Sequence, residues 1–309
     1  MSAPRIAIAP VSTDELKAAV RSGGGEPIED ATDADAIVWV NPRDPKGLAD
    51  LLEKSSAGWV QLPFAGIESF IAAGVVDRAR TWTCTKGVYG AACAEHVVAL
   101  MLAAARRLND HIPATTWRSD GFGSPERRLA GTTALVIGTG GIGSALVPML
   151  QPFGVRVIGM NRSGTPLHGA ERTVKVDELL GVVGDADWVV LAAASTPATH
   201  HLIDASVMTA MRDTAWIVNV ARGALIDSDA LVEALRSGGI GGAAIDVTDP
   251  EPLPDGHPLW ELPNAIITPH VANTWDMAVP ELVGMVGRNV AHFAAGEPLE
   301  GRVDPDVGY

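Results

Sequence analysis

The chain has 309 residues, 47% of them hydrophobic and 19% charged, with a formal net charge of −14. That balance describes a well-buried globular protein with room for one large or two ordinary domains, and it excludes a disordered chain. The acidic balance argues against a nucleic-acid or anionic-membrane partner. The two cysteines, Cys84 and Cys93, form no C-x-x-C pattern and read as buried free thiols in a reducing cytoplasm, with a disulfide as the alternative. The longest strongly apolar run, Val97 to Ala105, is half a membrane span, so the expected location is cytoplasmic.

In chain order, residues 5–9 and 36–40 read as buried strands, with a helix from Thr13 to Ser22 between them that Gly23-Gly24-Gly25 ends. A proline loop, Asn41 to Pro45, leads to a short helix, Leu48 to Lys54, and then to a strand, Trp59 to Leu62. A first βαβ-type unit therefore fills roughly the first hundred residues. Ala94-Glu95-His96 opens a long helix that runs to Arg107. Both Glu95 and His96 are candidate catalytic groups, but a glutamate at a helix start favours electrostatic capping. Residues 109–130, with Gly121, Gly123 and Pro125, are polar and irregular and read as an arm or hinge.

The next stretch organises the chain. An apolar run, Ala134 to Ile137, ends in Gly138-Thr139-Gly140-Gly141-Ile142-Gly143, followed by a helical pattern and a second apolar run, Val155 to Met160. Strand, glycine turn, helix and strand in that order mark a dinucleotide-binding unit. Gly138 makes the tight turn, Gly140 admits a pyrophosphate to the backbone, and Gly143 lets helix and strand pack closely. The helix start, with Gly141 and Ile142, presents N–H groups and a positive dipole end to phosphate. Further strands at Trp188 to Ala193, Trp216 to Val220, Gly242 to Val247 and Ala265 to Thr268 bring the total from Ala134 onward to six. The fold class is α/β, a doubly wound parallel sheet of the Rossmann type. A helix from Trp275 to Ala295 and an extended tail close the chain.

Open parallel sheets bind ligands beyond the carboxyl ends of their strands. At or just past those ends stand Ala194, then Ala221 and Arg222 after Val220, then Asp246 after the run Ala243–Ile245, and finally His270. Glu251 follows Asp246 in a proline-rich loop. Taken singly, Arg222 suits a surface ion pair, Asp246 a turn and His270 a core position; their shared place at one sheet edge favours a site.

These residues carry a resemblance. Phe64-Ala65-Gly66-Ile67-Glu68, Ala94-Glu95-His96, Leu129-Ala130-Gly131, Asn219-Val220-Ala221-Arg222-Gly223, Asp246 through Pro254, His257-Pro258-Leu259-Trp260, Thr268-Pro269-His270 and the closing Val303 to Tyr309 are similar, in order, to the D-isomer-specific 2-hydroxyacid dehydrogenase family. The resemblance covers nearly the whole chain. It implies a smaller, flavodoxin-like α/β substrate domain, residues 1–98 and 275–309, with a nucleotide domain, residues 99–274, inserted in it and the active site in the cleft. It implies that Arg222 clamps the substrate carboxylate and oxo group, which suits a planar and always charged fork. His270 becomes the general acid, and Glu251 orients its ring and favours the charged form. Ala65, Gly66 and Ile67 complete the carboxylate site, and Asp246 holds the nicotinamide amide. Glu251 also separates the chain from formate dehydrogenases, whose pattern carries Gln there. The expected assembly is a homodimer, and no metal ligand set is implied.

Three positions depart from the family pattern. Thr85-Lys86-Gly87 replaces an asparagine, Asn273 stands where many members have glycine, and Met160-Asn161-Arg162-Ser163 ends the second strand without an acidic residue. Asn161 lies eighteen residues after Gly143, where an NAD site wants a carboxylate for the ribose 2′-OH. Arg162 and Ser163 supply a guanidinium fork and a hydroxyl suited to a 2′-phosphate. The expected cofactor is NADP(H), with NAD(H) as the alternative. The expected activity is reduction of a small 2-oxo acid, glyoxylate or hydroxypyruvate in kind. A phosphoglycerate-type dehydrogenase, with Arg43 and Lys86 toward a phosphate, and a non-catalytic nucleotide-sensing corepressor on the same fold are the alternatives.

Overall fold

The computed structural model describes residues 2–117 and 126–305. Gly121, Gly123 and Pro125 of the expected arm, and Asp306 to Tyr309 of the closing tail, lie outside the described residues. Two compact units divide the chain: Met1–Tyr89 with Trp275–Tyr309, and Gly90–Thr274.

The first unit holds a five-stranded parallel sheet of β1 (Arg5–Ala9), β2 (Glu26–Ile28), β3 (Ala36–Trp39), β4 (Trp59–Gln61) and β5 (Thr81–Thr83). Its order is β2-β1-β3-β4-β5, the flavodoxin-like arrangement. The outer strands β2 and β5 go beyond the three the sequence marks out. Each is three residues long, and Pro27 in β2 is tolerated because that strand is an edge. The Asp14–Ser22 helix starts at Thr13, whose hydroxyl accepts the Leu16 N–H, and ends at Gly23. A Cβ on Gly23 would strike the Gly287 carbonyl, so glycine permits the Trp275–Ala295 helix to pack closely here. The fully buried Asn289 of that helix donates to Gln61 Oε1 at 2.9 Å and binds the Glu300 backbone, tying the late segment to β4.

The second unit holds a seven-stranded parallel sheet. Its strands are β6 (Thr133–Ile137), β7 (Arg156–Asn161), β8 (Arg172–Lys175), β9 (Trp188–Leu191), β10 (Trp216–Asn219), β11 (Gly242–Ile245) and β12 (Ala265–Ile267), in the order β12-β11-β10-β9-β6-β7-β8. This is the doubly wound order with one strand more than expected. The extra strand, β8, is a short and largely polar edge strand that leaves no apolar run to read. Alternate residues of the central strands enter two separate cores, Leu135, Val189 and Ile217 on one face and Val136, Val190 and Val218 on the other. Burial on both faces explains why these strands read as unbroken apolar runs.

The expected boundary after residue 98 falls inside the Gly90–Ala105 helix, and the whole helix belongs to the second unit. A Cβ at Gly90 would collide with the Gly141 carbonyl, so this helix packs directly against the start of the glycine-turn helix. The helix also begins before Ala94. Glu95 therefore sits in its second turn, exposed, and does not cap its start. No helix among the described residues is long and apolar enough to cross a membrane.

Candidate active site

Parallel pairing aligns the ends of five strands. Ile137 pairs with Leu191, Leu191 with Asn219, Asn219 with Ile245, and Ile245 with Ile267. The segments that begin at Gly138, Ala192, Val220, Asp246 and Thr268 therefore leave the sheet along one edge. Asn219 and Ile267 are two strands apart, roughly 10 Å at the usual strand spacing.

At the first of these ends the three glycines do different things. Gly138 has φ +101°, and a Cβ there would collide with the Ala192 carbonyl. A Cβ on Gly143 would collide with the Gly138 carbonyl. Gly140, the residue before the Gly141–Leu150 helix, faces open space, with nothing within 4 Å of a built Cβ. A tight turn, a close-packed helix and an open approach to a helix N-terminus fit the diphosphate of a dinucleotide.

The loop after β7 is built by Asn161. Its side-chain oxygen accepts the N–H groups of Ser163, Gly164 and Thr165 at 3.1, 2.6 and 3.1 Å. Its Nδ2 donates to Thr139 Oγ1 at 2.9 Å, which joins this loop to the glycine turn. The amide expected to face the ribose thus shapes the loop, and Arg162 and Ser163 are among the residues it exposes, with Ser163 Oγ also bonded to Thr165 Oγ1 at 2.6 Å.

Arg222 is placed by a residue to which the sequence reading gave no role. Asn219, fully buried at the end of β10, accepts the Ala221 N–H at 3.0 Å and donates to the Arg222 carbonyl at 2.9 Å. A Cβ on the next residue, Gly223, would overlap the Thr248 carbonyl, so the Arg222 turn lies directly on the chain leaving β11. Ser228 Oγ fastens the same chain by donating to the Asp249 carbonyl at 2.7 Å.

His270 Nδ1 donates to Glu251 Oε1 at 2.7 Å, and both side chains are about half exposed. The histidine backbone has φ +54°, the left-handed region that a side chain disfavours. Asp246 holds it there. The Asp246 carbonyl accepts the His270 N–H at 2.8 Å, and its carboxylate accepts the N–H groups of Val271 and Ala272, each at 2.9 Å. Thr268 Oγ1 donates to the same carboxylate at 2.6 Å. Asp246 is only 2% exposed. Burial pushes its carboxyl up, but the donors from His96, Thr268, Val271 and Ala272 outweigh that and hold it down at about 2. Both oxygens expected to meet a nicotinamide amide are therefore already bound within the turn that carries His270.

Two more groups reach this region from the Gly90–Ala105 helix. His96 Nε2 lies 3.0 Å from Thr268 Oγ1 and 3.4 Å from Asp246 Oδ1. Burial pushes the Cys93 thiol up to about 11; the Asp246 charge adds to this and Arg222 opposes it. Spacing of i and i+3 puts both on one helix face, the signal that sequence reading passed over. Ala194 is exposed after β9, and Val220 and Ala221 are buried before Arg222.

In the first unit, Ala65, Gly66 and Ile67 follow β4, and the buried Ile67 caps the Glu68–Ala72 helix. Thr85 and Tyr89 donate to the Pro63 carbonyl at 2.9 and 2.6 Å, which fixes the start of that loop, while Lys86 is exposed.

Comparison with known proteins identifies the family. Residues 98–272 match the family model described as D-isomer specific 2-hydroxyacid dehydrogenase, NAD binding domain. The chain is 40% identical to an uncharacterised protein of Corynebacterium melassecola, over 96% of this chain and 97% of that one. It is 35% identical to the glyoxylate reductase of Aeropyrum pernix, over 73% and 70% respectively. The crystal structure of the NADPH-dependent glyoxylate/hydroxypyruvate reductase from Sinorhizobium meliloti, in complex with NADP and sulfate, matches with a TM-score of 0.82 at 25% identity, covering 99% of this chain and all of that one. The chain belongs to the D-isomer-specific 2-hydroxyacid dehydrogenase family and is an NAD(P)-dependent oxidoreductase.

Proposed function

We propose that the protein reduces a small 2-oxo acid, of the glyoxylate or hydroxypyruvate kind, to its D-2-hydroxy acid with NADPH. The observation that carries this reading is the 2.7 Å hydrogen bond from His270 Nδ1 to Glu251 on the edge that Arg222 also occupies. With Nδ1–H held by a carboxylate, Nε2 is the nitrogen that gives and takes the catalytic proton. Arg222 grips the carboxylate and oxo oxygen of the substrate and polarises the carbonyl. The nicotinamide of a dinucleotide held at the glycine turn would supply the hydride that the carbonyl carbon takes up. His270 Nε2–H gives its proton to the oxo oxygen, leaving a neutral ring whose Nδ1–H stays on Glu251. The relatives named for glyoxylate and hydroxypyruvate reduction support the substrate class.

Preference for NADPH rests on the loop after β7. No carboxylate stands at its start to repel a 2′-phosphate, and Arg162 and Ser163 are exposed beside the glycine turn. A panel of 2-oxo acids assayed with NADPH and NADH tests both parts. We expect oxidation of NADPH by glyoxylate or hydroxypyruvate, with kcat/KM higher than for NADH. Arg162→Ala raises the KM for NADPH and leaves that for NADH nearly unchanged. No reduction of any 2-oxo acid overturns the activity, and equal or better use of NADH overturns the cofactor preference.

A further inference from the structure

His96 takes no part in the scheme above, yet its ring is turned toward the turn that carries the proton donor. The direction of its hydrogen bond follows from counting protons. Thr268 has one hydroxyl proton, and the 2.6 Å contact to the ionised Asp246 carboxylate, which can only accept, uses it. Thr268 Oγ1 can then only accept from His96 at 3.0 Å, which fixes a proton on His96 Nε2. That same N–H lies 3.4 Å from Asp246 Oδ1. The result is a directed chain, from His96 to Thr268 to Asp246. Its last member binds the backbone N–H groups of His270, Val271 and Ala272.

The turn needs that support. His270 stands at φ +54°, a conformation that a side-chain-bearing residue keeps only where its surroundings over-determine it. Its side chain is half exposed and touches the rest of the unit through Glu251, so its aim depends on the backbone beneath it. Asp246 supplies the acceptors for that backbone, and Thr268 and His96 fix the rotamer of Asp246. His96 comes from a helix, and the Gly90 contact against Gly141 seats that helix on the glycine turn. One rigid element thus references both the diphosphate turn and the histidine turn.

We propose that His96 is a positioning residue, which sets the aim of the His270 ring by acting through Thr268 and Asp246. The inference rests on reading His270 as the proton donor to a 2-oxo acid. It separates from simple packing because it requires a donor at Nε2 and not merely a ring of the right volume.

The experiment uses the full chain and steady-state reduction of glyoxylate or hydroxypyruvate by NADPH. His96→Leu keeps bulk and removes the donor, whereas His96→Gln keeps an N–H at nearly the same reach. His96→Leu is expected to lower kcat about tenfold or more, the scale on which small misplacements act, with the KM for NADPH unchanged. His96→Gln restores most of that loss. Thr268→Val cuts the chain at its next link, so adding His96→Leu to Thr268→Val costs little further activity. Thr268→Ser stays near wild type, and with His96→Gln it carries the test if His96→Leu fails to fold. Wild-type kcat in His96→Leu, equal loss in His96→Leu and His96→Gln, or additive losses in the double variant each overturn the inference. His270→Ala runs beside them. If that variant keeps its activity, the proton-donor reading falls and takes the inference with it; if it loses activity while His96→Leu does not, the inference falls alone.

Discussion

Asp246→Asn isolates the charge at the centre of the histidine turn. The carboxylate receives donors from Thr268, Val271, Ala272 and His96 while it is almost entirely removed from water. Held at about 2 against an ordinary 3.8, its ionised form contributes about 2 kcal/mol to folding near neutrality. Because the folded-state value is depressed, that contribution is fully present above the unfolded value and is lost as pH falls through about 2. Asparagine keeps one acceptor oxygen but turns an NH2 group toward a donor, so it also leaves a backbone N–H unpaired, for about 1–3 kcal/mol more. Urea denaturation of wild type and Asp246→Asn at pH 7, 5 and 3 separates the two parts. The stability gap is expected to be the same at pH 7 and 5 and to shrink by about 1 kcal/mol at pH 3, as wild type gives up half of the charge-dependent part. A gap that is constant down to pH 3, or a variant as stable as wild type at pH 7, refutes the account of Asp246 as an ionised anchor.

His270→Ala should cut 2-oxo acid reduction by ~10²–10⁴, the usual worth of general acid–base catalysis, while NADPH binding followed by fluorescence is kept. Arg222→Lys keeps charge but loses the fork, so kcat/KM for the oxo acid should fall by the equivalent of ~1–3 kcal/mol with little change in NADPH affinity. Gly138→Ala combines a φ of +101° with a collision at the Ala192 carbonyl, so thermal denaturation should show a lower Tm and NADPH titration a weaker complex. Wild-type Tm and affinity in Gly138→Ala would mean that the turn relaxes without consequence.

The order of elements was legible because most of the strands of the second unit are buried on both faces, as their unbroken apolar runs advertise. What escaped reading were edge strands. Glu26–Ile28, Thr81–Thr83 and Arg172–Lys175 are short, partly polar, and defined by the neighbour they pair with more than by their own composition. The start of the Gly90–Ala105 helix is hidden from the sequence for a related reason. Gly90 is a poor helix former, and its place in the helix comes from contact with Gly141, which no local pattern reveals.

The same distinction runs through the site. Arg222, Asp246 and His270 stand just beyond strand ends, so a rule about sheet edges finds them as site candidates without any contact being known. The groups that aim them obey no such rule. Asn219 and Gly223 are read as motif letters, yet one ties the arginine turn by two hydrogen bonds and the other removes the Cβ that would push it off Thr248. His96 is harder still, because its partner Thr268 is 172 residues away and the bond exists only once helix and sheet have packed. Asp246 shows why the difference matters for function. From its position alone it reads as a ligand for the cofactor, whereas the structure also shows its oxygens binding the backbone of the turn that carries His270. Position along a strand predicts where a side chain can act, but only the hydrogen bonds made after packing reveal which residues also hold the turn in place.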